Sequence, residues 1–355
     1  MKTKLTDDAI ELLKKLIETP SISSEEKETA TLLEDWFRAI NIPFTRTKNN
    51  VWATNKYFDP SKPTLLLNSH HDTVKPNNGY TRNPFEAVVE DGKLYGLGSN
   101  DAGGCLVSLL ATFTYYYNQK DMLYNLVFAG TAEEENSGPD GLNSLLPILP
   151  KIAVAIVGEP TEMQLAIAEK GLLVLDAEVI GTPSHAAHPN DDNAIYKTIQ
   201  TLEWFKDLHF EKTSETLGEV KVTVTQIHAG KQHNAVPANV QLVVDVRIND
   251  RYTNKEISDY FSKNAPCKIT PRSLHLNSSS IAKDHPLVKS GIAIGRQTYG
   301  SPTLSDQVVL TCPSLKLGPG NSKRSHTADE YIYLDEIKEG ITIYIELLKK
   351  VLIKN

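Results

Sequence analysis

Short apolar runs with no polar interruption recur through the first half of the chain, at residues 64–68, 126–129 and 153–157. Runs this short and unalternated suit strands buried on both faces, in a sheet sandwiched by helices. Residues 102–117, between two of these runs, are apolar enough for a buried helix. Two helices are predicted ahead of the first run. In the second, Ser23 and Glu26 have the spacing of a capping box, and Ala30, Leu33, Trp36, Phe37 and Ile40 follow on one face. Strands alternating with helices predict an α/β domain with a mixed, mostly parallel sheet.

The pattern changes after Gly171. Residues 172–180, 219–227 and 240–248 are longer, rich in β-branched side chains and partly alternating, as in a half-exposed antiparallel sheet. Helical patterns at 193–208 and 254–263 interrupt them, and the chain then returns to a helix at 286–299, short apolar strands and an amphipathic helix over Leu334–Leu352. The predicted organisation is a catalytic domain from residues 1–171 and 285–355, interrupted at 172–284 by an inserted α+β domain of roughly a hundred residues, a usual domain size.

Composition narrows the setting. The 355 residues are 40% hydrophobic and 23% charged, an ordinary globular balance, with a net charge of −7 that gives no basic footprint for nucleic acid. No stretch approaches the ~20 apolar residues that would span a bilayer, and the N-terminus mixes Lys2, Lys4, Asp7 and Asp8 among its leucines, unlike a signal peptide. Cys105, Cys267 and Cys312 are odd in number, widely spread and form no CxxC pair, so neither a disulfide framework nor a thiolate zinc site is supported. These features predict a cytoplasmic protein that binds neither nucleic acid nor membrane.

The chemistry gathers where apolar runs end. His70-His71-Asp72 follows the first run; His70 and Asp72, two apart, project to one side of an extended chain, so the carboxylate can orient the imidazole. Gly96-Leu97-Gly98-Ser99-Asn100-Asp101 opens a helix, but the third glycine of a dinucleotide fingerprint falls on Asp101, where an acid would repel a pyrophosphate. Glu133-Glu134-Glu135 follows the second run. Such a run is ordinarily a solvated face, yet adjacent glutamates can also divide the work of ligand and proton acceptor. Gly158-Glu159-Pro160 follows the third, and Ser325-His326 through Glu330 comes after the Gly318-Pro319-Gly320 turn. Imidazoles and carboxylates in this number suit zinc, with cobalt or manganese as substitutes, and a shared carboxylate would hold two ions ~3.5–4 Å apart.

These five elements, in this order, resemble the metallopeptidase superfamily that contains acetylornithine deacetylase, succinyl-diaminopimelate desuccinylase and aminoacylase. The resemblance covers essentially the whole chain. It implies that His70 and Glu159 hold one zinc ion, Glu135 and His326 the other, and that Asp101 bridges them. Asp72 would orient His70, and Glu134 would be the general base. The insertion resembles a lid and dimerisation domain, and His185, in Thr182-Pro183-Ser184-His185, matches a histidine that stabilises the oxyanion. Asn234, Arg247 and Ser305 match positions linked to substrate. The reaction implied is hydrolysis of an N-acyl amino acid by a homodimer, with N2-acetylornithine foremost and its succinyl or citrulline analogues beside it. Succinyl-diaminopimelate and dipeptides are the alternatives; a non-catalytic binding protein of this fold would lack a ligand or the base, and none is missing. Position 71 departs from the pattern, being histidine where relatives carry Thr, Val or Leu, which leaves open an exchange of roles between His70 and His71. His188 and His233 are further histidines outside the ligand set.

Overall fold

The computed structural model describes residues 2–354, in two compact units. The first comprises the chain up to Ile167, Ser280–Tyr299 and the residues from Ser305 on. The second comprises Ala168–Ser279 with Gly300–Leu304. The second unit thus begins four residues before the expected boundary at 172, ends before 284, and takes in a short later segment.

The first unit is built on a mixed sheet. Its strands lie in the order Thr45–Thr47, Asn50–Thr54, Asn125–Thr131, Thr64–His70, Ile152–Val157, Ser314–Lys316 and Leu165–Glu169. The four strands from Asn125–Thr131 to Ser314–Lys316 run parallel, and Asn50–Thr54 and Leu165–Glu169 pair antiparallel at either side. The continuous apolar character of the central strands is explained by burial from both sides. Leu65, Leu67 and Phe128 pack with Leu13, Leu33, Phe37, Leu106, Phe113 and Tyr344 of the surrounding helices, whereas Leu66, Val127 and Ala155 pack with Leu142 and Leu145. Helices Lys2–Glu18, Lys27–Ala39, Gly104–Tyr116 and Leu334–Leu352 supply the larger cover.

Register places the chemistry. Within the parallel part of the sheet His70 is level with Thr131, and Asn68 with Val157. The segments that follow, His71-Asp72, Glu133–Glu135 and Glu159, therefore leave the sheet at one edge, the carboxyl end where strands of α/β folds diverge into loops.

The second unit is an antiparallel sheet in the order Lys221–Ala229, Asn239–Ile248, Gly171–Ile180 and Lys268–Pro271. Alternate residues Leu173, Leu175, Ala177 and Val179 join Leu242, Val244 and Val246 against Phe205 and Phe261, from helices Ala194–Asp207 and Asn254–Asn264. Asn193 caps the first helix by accepting from the Ile195 N–H, and Thr253 with Glu256 forms a capping box on the second.

Local expectations fail at three places. The Ser23–Glu26 capping box does not form: the helix starts at Lys27 with no side-chain cap. Other partners take both groups, Ser23 donating to Asp72 and Glu26 accepting from the neighbouring Ser24 N–H, from Asn49 Nδ2 at 2.9 Å and from the Glu133 N–H at 3.3 Å. The helix expected over 102–117 starts at Gly104, because Asp101 and Ala102 have non-helical backbone angles. The helix expected over 286–299 spans only Pro286–Ile292; Gly295, at φ 84, takes a left-handed turn that feeds the next strand.

Candidate metal centre

Five side chains of the first unit converge in two overlapping groups, His70 with Asp101 and Glu159, and Asp101 with Glu135 and His326. Within each group the nearest ligand-type atoms lie within 4.8 Å of one another. Asp101 belongs to both. Its Oδ1 lies 3.5 Å from His70 Nε2, and its Oδ2 lies 3.6 Å from His326 Nε2. One carboxylate thus turns one oxygen to each histidine. His70 Nε2 is 3.8 Å from Glu159 Oε1, and His326 Nε2 meets Glu135 Oε2 at 2.9 Å.

The fit to metal ions rests on atoms that lack another use. His70 Nε2 and Glu159 Oε1 are buried without a hydrogen-bond partner. Such orphans are costly unless something pairs with them. Meanwhile His70 Nδ1 is occupied, 3.0 Å from the Asp72 carbonyl oxygen and 3.3 Å from its carboxylate. With the proton held at Nδ1, the lone pair of Nε2 points into the cluster, as a metal-binding imidazole requires. Two imidazoles and three carboxylates are a donor set for zinc or similar divalent cations.

Asp72 reaches further than the histidine. Its carboxylate accepts from the Glu134 N–H and the Glu135 N–H, both at 3.1 Å, and from the Ser23 hydroxyl at 2.7 Å. The same group that orients His70 therefore also holds the backbone of the turn carrying Glu134 and Glu135. Glu134 places its carboxylate 4.0 Å from His70 Nε2 without joining either group.

So many acids in one place shift their own protonation. Burial raises Glu134 well above the ordinary carboxylate value, with the charges of Glu159 and Asp306 adding to it. Burial and the Asp101 charge push Glu159 up to about 8. Burial would lower His70, but the carboxylates of Asp101 and Asp72 more than offset it and hold the imidazole well above its ordinary value. Glu135 raises His326 to about 9. Carboxylates that resist ionising together are what bound cations would relieve.

His71 lies outside both groups. The His71 ring lies 2.9 Å from the Thr29 hydroxyl at Nδ1 and 2.9 Å from the Asn49 carbonyl oxygen at Nε2. Both nitrogens are spent, and burial lowers its pKa to about 4, so it stays a neutral strut. Ser305 is buried and caps the turn Asp306–Val309 by accepting from the Gln307 N–H. His185, Asn234 and Arg247 belong to the second unit. There His185 Nδ1 accepts from the Ala187 N–H at 3.1 Å, which leaves the ring proton of the neutral tautomer on Nε2, a donor. The Asn234 carbonyl accepts from the Ala186 N–H next to it. Arg247 is held by Asp245 through two hydrogen bonds at 2.9 and 3.1 Å. His188 stacks edge-on against His185 with ring centroids 5.8 Å apart, and His233 is exposed.

Two acids near the cluster had no role from sequence. Asp306 is buried and accepts from the Thr131 hydroxyl at 2.8 Å. Glu330 is buried against the loop that carries Asp101. Their signal in the sequence is slight, since an acid beside a serine or another acid in a loop is commonplace.

With this geometry in place, comparison with known proteins gives one consistent answer. Residues 66–350 match the model of Peptidase family M20/M25/M40, and the chain belongs to that family. It is a metal-dependent hydrolase of that family. Its sequence is 29% identical over 386 residues to the acetylornithine deacetylase of Shigella sonnei, covering 98% of each protein. Among solved structures it resembles a metallo-carboxypeptidase of this family from Sulfolobus solfataricus, with a TM-score of 0.77 at 18% identity over 97% of this chain and 99% of that one. It also resembles a tripeptidase from Staphylococcus aureus, with a TM-score of 0.77 at 20% identity over 98% of each chain. At these identities the two structures speak for the fold. Among the described residues no helix is long and apolar enough to cross a membrane.

Proposed function

We propose that the protein hydrolyses the amide bond of an N-acyl amino acid, N2-acetylornithine foremost or its N-succinyl or citrulline counterparts, as a step of arginine biosynthesis in the cytoplasm. The observation that carries this reading is Asp101, whose two oxygens face the two histidines, together with similarity to a deacetylase along nearly the full length. His70 and Glu159 would hold one zinc ion, Glu135 and His326 the other, with Asp101 shared; cobalt or manganese would substitute. Bound there, such ions would supply Lewis acidity to the acyl carbonyl and make a water held beside them far more acidic than bulk water.

The chain's own groups do the rest. Asp72 orients His70 and holds the Glu134–Glu135 backbone. Glu134, whose carboxyl burial raises well above its ordinary value, takes the proton of the attacking water and returns it to the departing α-amine. His185 is assigned the donor that steadies the developing oxyanion, a role whose loss costs other enzymes ~10²–10³ in rate. Asn234, Arg247 and Ser305 are assigned to substrate. A cavity of about 310 Å³ lined by Pro160, Thr161, Gln297, Tyr299, Asn321 and Lys323 adjoins the Glu159 segment and has the size and polarity for a small amino-acid derivative.

We assign the assembly as a homodimer through the second unit. Lys221–Ala229 is an edge strand there, and Ile195, Tyr196, Ile199 and Ile227 are exposed, an apolar surface that a second copy would cover. Sedimentation as a monomer would refute this assignment.

Likeness to a carboxypeptidase and a tripeptidase keeps short peptides as the second reading, and succinyl-diaminopimelate belongs in the same comparison. The deciding experiment assays metal content and hydrolysis of N-acetylornithine, N-succinylornithine, N-acetylcitrulline, succinyl-diaminopimelate and dipeptides, before and after chelation. Two ions per chain, with deacylation abolished by chelation and restored by zinc, supports the proposal. Turnover of peptides alone would transfer it to the second reading, and turnover indifferent to chelation would refute both.

A further inference from the structure

Glu330 sits four residues after His326 and is 2% exposed. Its carboxylate is consumed by one loop. Oε1 accepts from the Asn100 N–H and from the Asp101 N–H, both at 2.8 Å, and Oε2 accepts from the Gly98 N–H at 3.1 Å. The Glu330 carbonyl oxygen accepts a fourth N–H, that of Gly96, at 3.0 Å. Backbone donors removed from water must be paired. This loop has little regular structure to pair them, since Gly98 is left-handed at φ 75 and Asp101 is extended at φ −117, ψ 98. One buried side chain does the pairing instead.

The loop is gripped from a second side. The Asn100 side-chain oxygen accepts from the Asn321 N–H at 3.0 Å, and its amide donates to the Asn321 carbonyl at 3.2 Å. Asp329 ties the segment before Glu330 to a different loop, accepting from the Thr81 and Arg82 N–H groups at 2.9 and 3.0 Å and from the Thr81 hydroxyl at 2.6 Å. Among the described residues Glu330 is the acceptor that joins the segment bearing His326 to the backbone nitrogen of Asp101, while Ser325 of that segment bonds the Asp101 carboxylate. Its oxygens, already holding three donors, are outside both ligand groups.

The geometry points to Glu330 as a positioning residue: by clamping the Gly96–Asp101 backbone it fixes the Asp101 carboxylate in the orientation that serves both histidines, and so sets the affinity of both metal sites together. This rests on the dinuclear reading above. The clamp acts through hydrogen bonds that only a carboxylate can accept on both oxygens. In Glu330→Gln the amide group would turn a donor toward at least one of the three N–H groups, with side-chain volume unchanged.

The test is a cobalt titration of the metal-free full-length protein, followed by visible absorption and calorimetry, with thermal melting of the same samples. Glu330→Gln is expected to weaken cobalt binding at both sites by about 10–100-fold, the usual effect of removing a group that supports a ligand. Asp329→Asn, in the same segment but bonded to the other loop, is expected to lower the melting temperature while keeping cobalt affinity within about twofold of wild type. A merely structural role for Glu330 predicts that both variants lose affinity in proportion to lost stability, and that result overturns the proposal. So does wild-type affinity in Glu330→Gln. Should that variant fail to fold, Glu330→Asp, which keeps the charge but is one methylene short, is expected to weaken cobalt binding at both sites, and wild-type affinity there overturns the proposal equally. Failure of the dinuclear reading is distinguishable, because the wild-type protein would then bind fewer than two cobalt ions.

Discussion

Asp72→Asn isolates what a single buried carboxylate contributes to this centre. The substitution keeps the shape and replaces one acceptor oxygen by an amide NH₂. In the place of Oδ1 that NH₂ would meet the Glu134 N–H and the proton on His70 Nδ1; in the place of Oδ2 it would meet only the Glu135 N–H, because the Ser23 hydroxyl can turn and accept. The second orientation is the cheaper. It leaves one buried donor unpaired, costing about 1–3 kcal/mol, and strips charge assistance from the bonds that remain. The sum is about 2–4 kcal/mol. Against a usual total of about 5–15 kcal/mol the variant still folds. Urea unfolding of the metal-free protein at pH 7 measures this directly, and a cobalt titration measures the companion effect, an affinity lower by about 10–100-fold because both His70 and the Glu134–Glu135 turn lose their anchor. A variant that unfolds within about 0.5 kcal/mol of wild type and binds cobalt equally well would refute the reasoning.

Three further outcomes follow from the same geometry. Glu134→Gln should retain two metal ions and lose turnover by at least about 10²-fold; normal activity would remove Glu134 from the role of base. In the metal-free protein, Glu159, raised from 4.5 to about 8 chiefly by burial, keeps its proton in the folded chain where the unfolded chain has released it. Its stabilisation is complete below the unfolded value and is lost as pH rises through about 8, and His326, raised to about 9, adds the same sign. Melting temperature should therefore fall from pH 6.5 to 8.5 after chelation, and saturating zinc should lessen the fall; a rise in the chelated protein would contradict the sign. Phe128→Ala, which empties a site packed on Phe37 and Phe113 with ring centroids 6.0 and 6.1 Å away, should cost about 3–5 kcal/mol in urea unfolding while the folded fraction keeps its full metal content.

What the sequence made legible was what local pattern dictates. The runs around Leu66, Val127 and Ala155 had to be buried on both faces, and an acid or histidine just past each run had to emerge at one edge once those strands lay parallel. His70, Glu135 and Glu159 were readable for that reason; Asp101 and His326 follow no such run, and their place in the set came from the family resemblance. The Ser23–Glu26 cap was misread because Asp72, about fifty positions away, competes for the serine, and no local rule weighs that bond. His71 was ambiguous until its ring was seen to be spent on Thr29 and Asn49. Glu330 carried no signal, since its importance lies in three N–H groups of a loop more than two hundred positions earlier in the chain. Leu165–Glu169 escaped notice because five residues ending in an acid have too little periodicity to distinguish a strand.

The order of strands in the main sheet has a consequence for how the molecule is made. Ser314–Lys316 pairs with Ile152–Val157, and the helix Leu334–Leu352 covers the same core, yet the entire antiparallel unit is encoded between them. On the ribosome, where domains fold as they emerge, the second unit has all its strands while the first still lacks the strand and helix that finish its core. The acids at residues 72, 101, 134, 135 and 159 thus wait on an incomplete sheet until Ser314–Lys316 is made, and the second histidine reaches them only with the last thirty residues of the chain. A chain stopped at residue 310 should accordingly yield a protease-resistant fragment containing Ala168–Ser279, and an amino-terminal part that is digested.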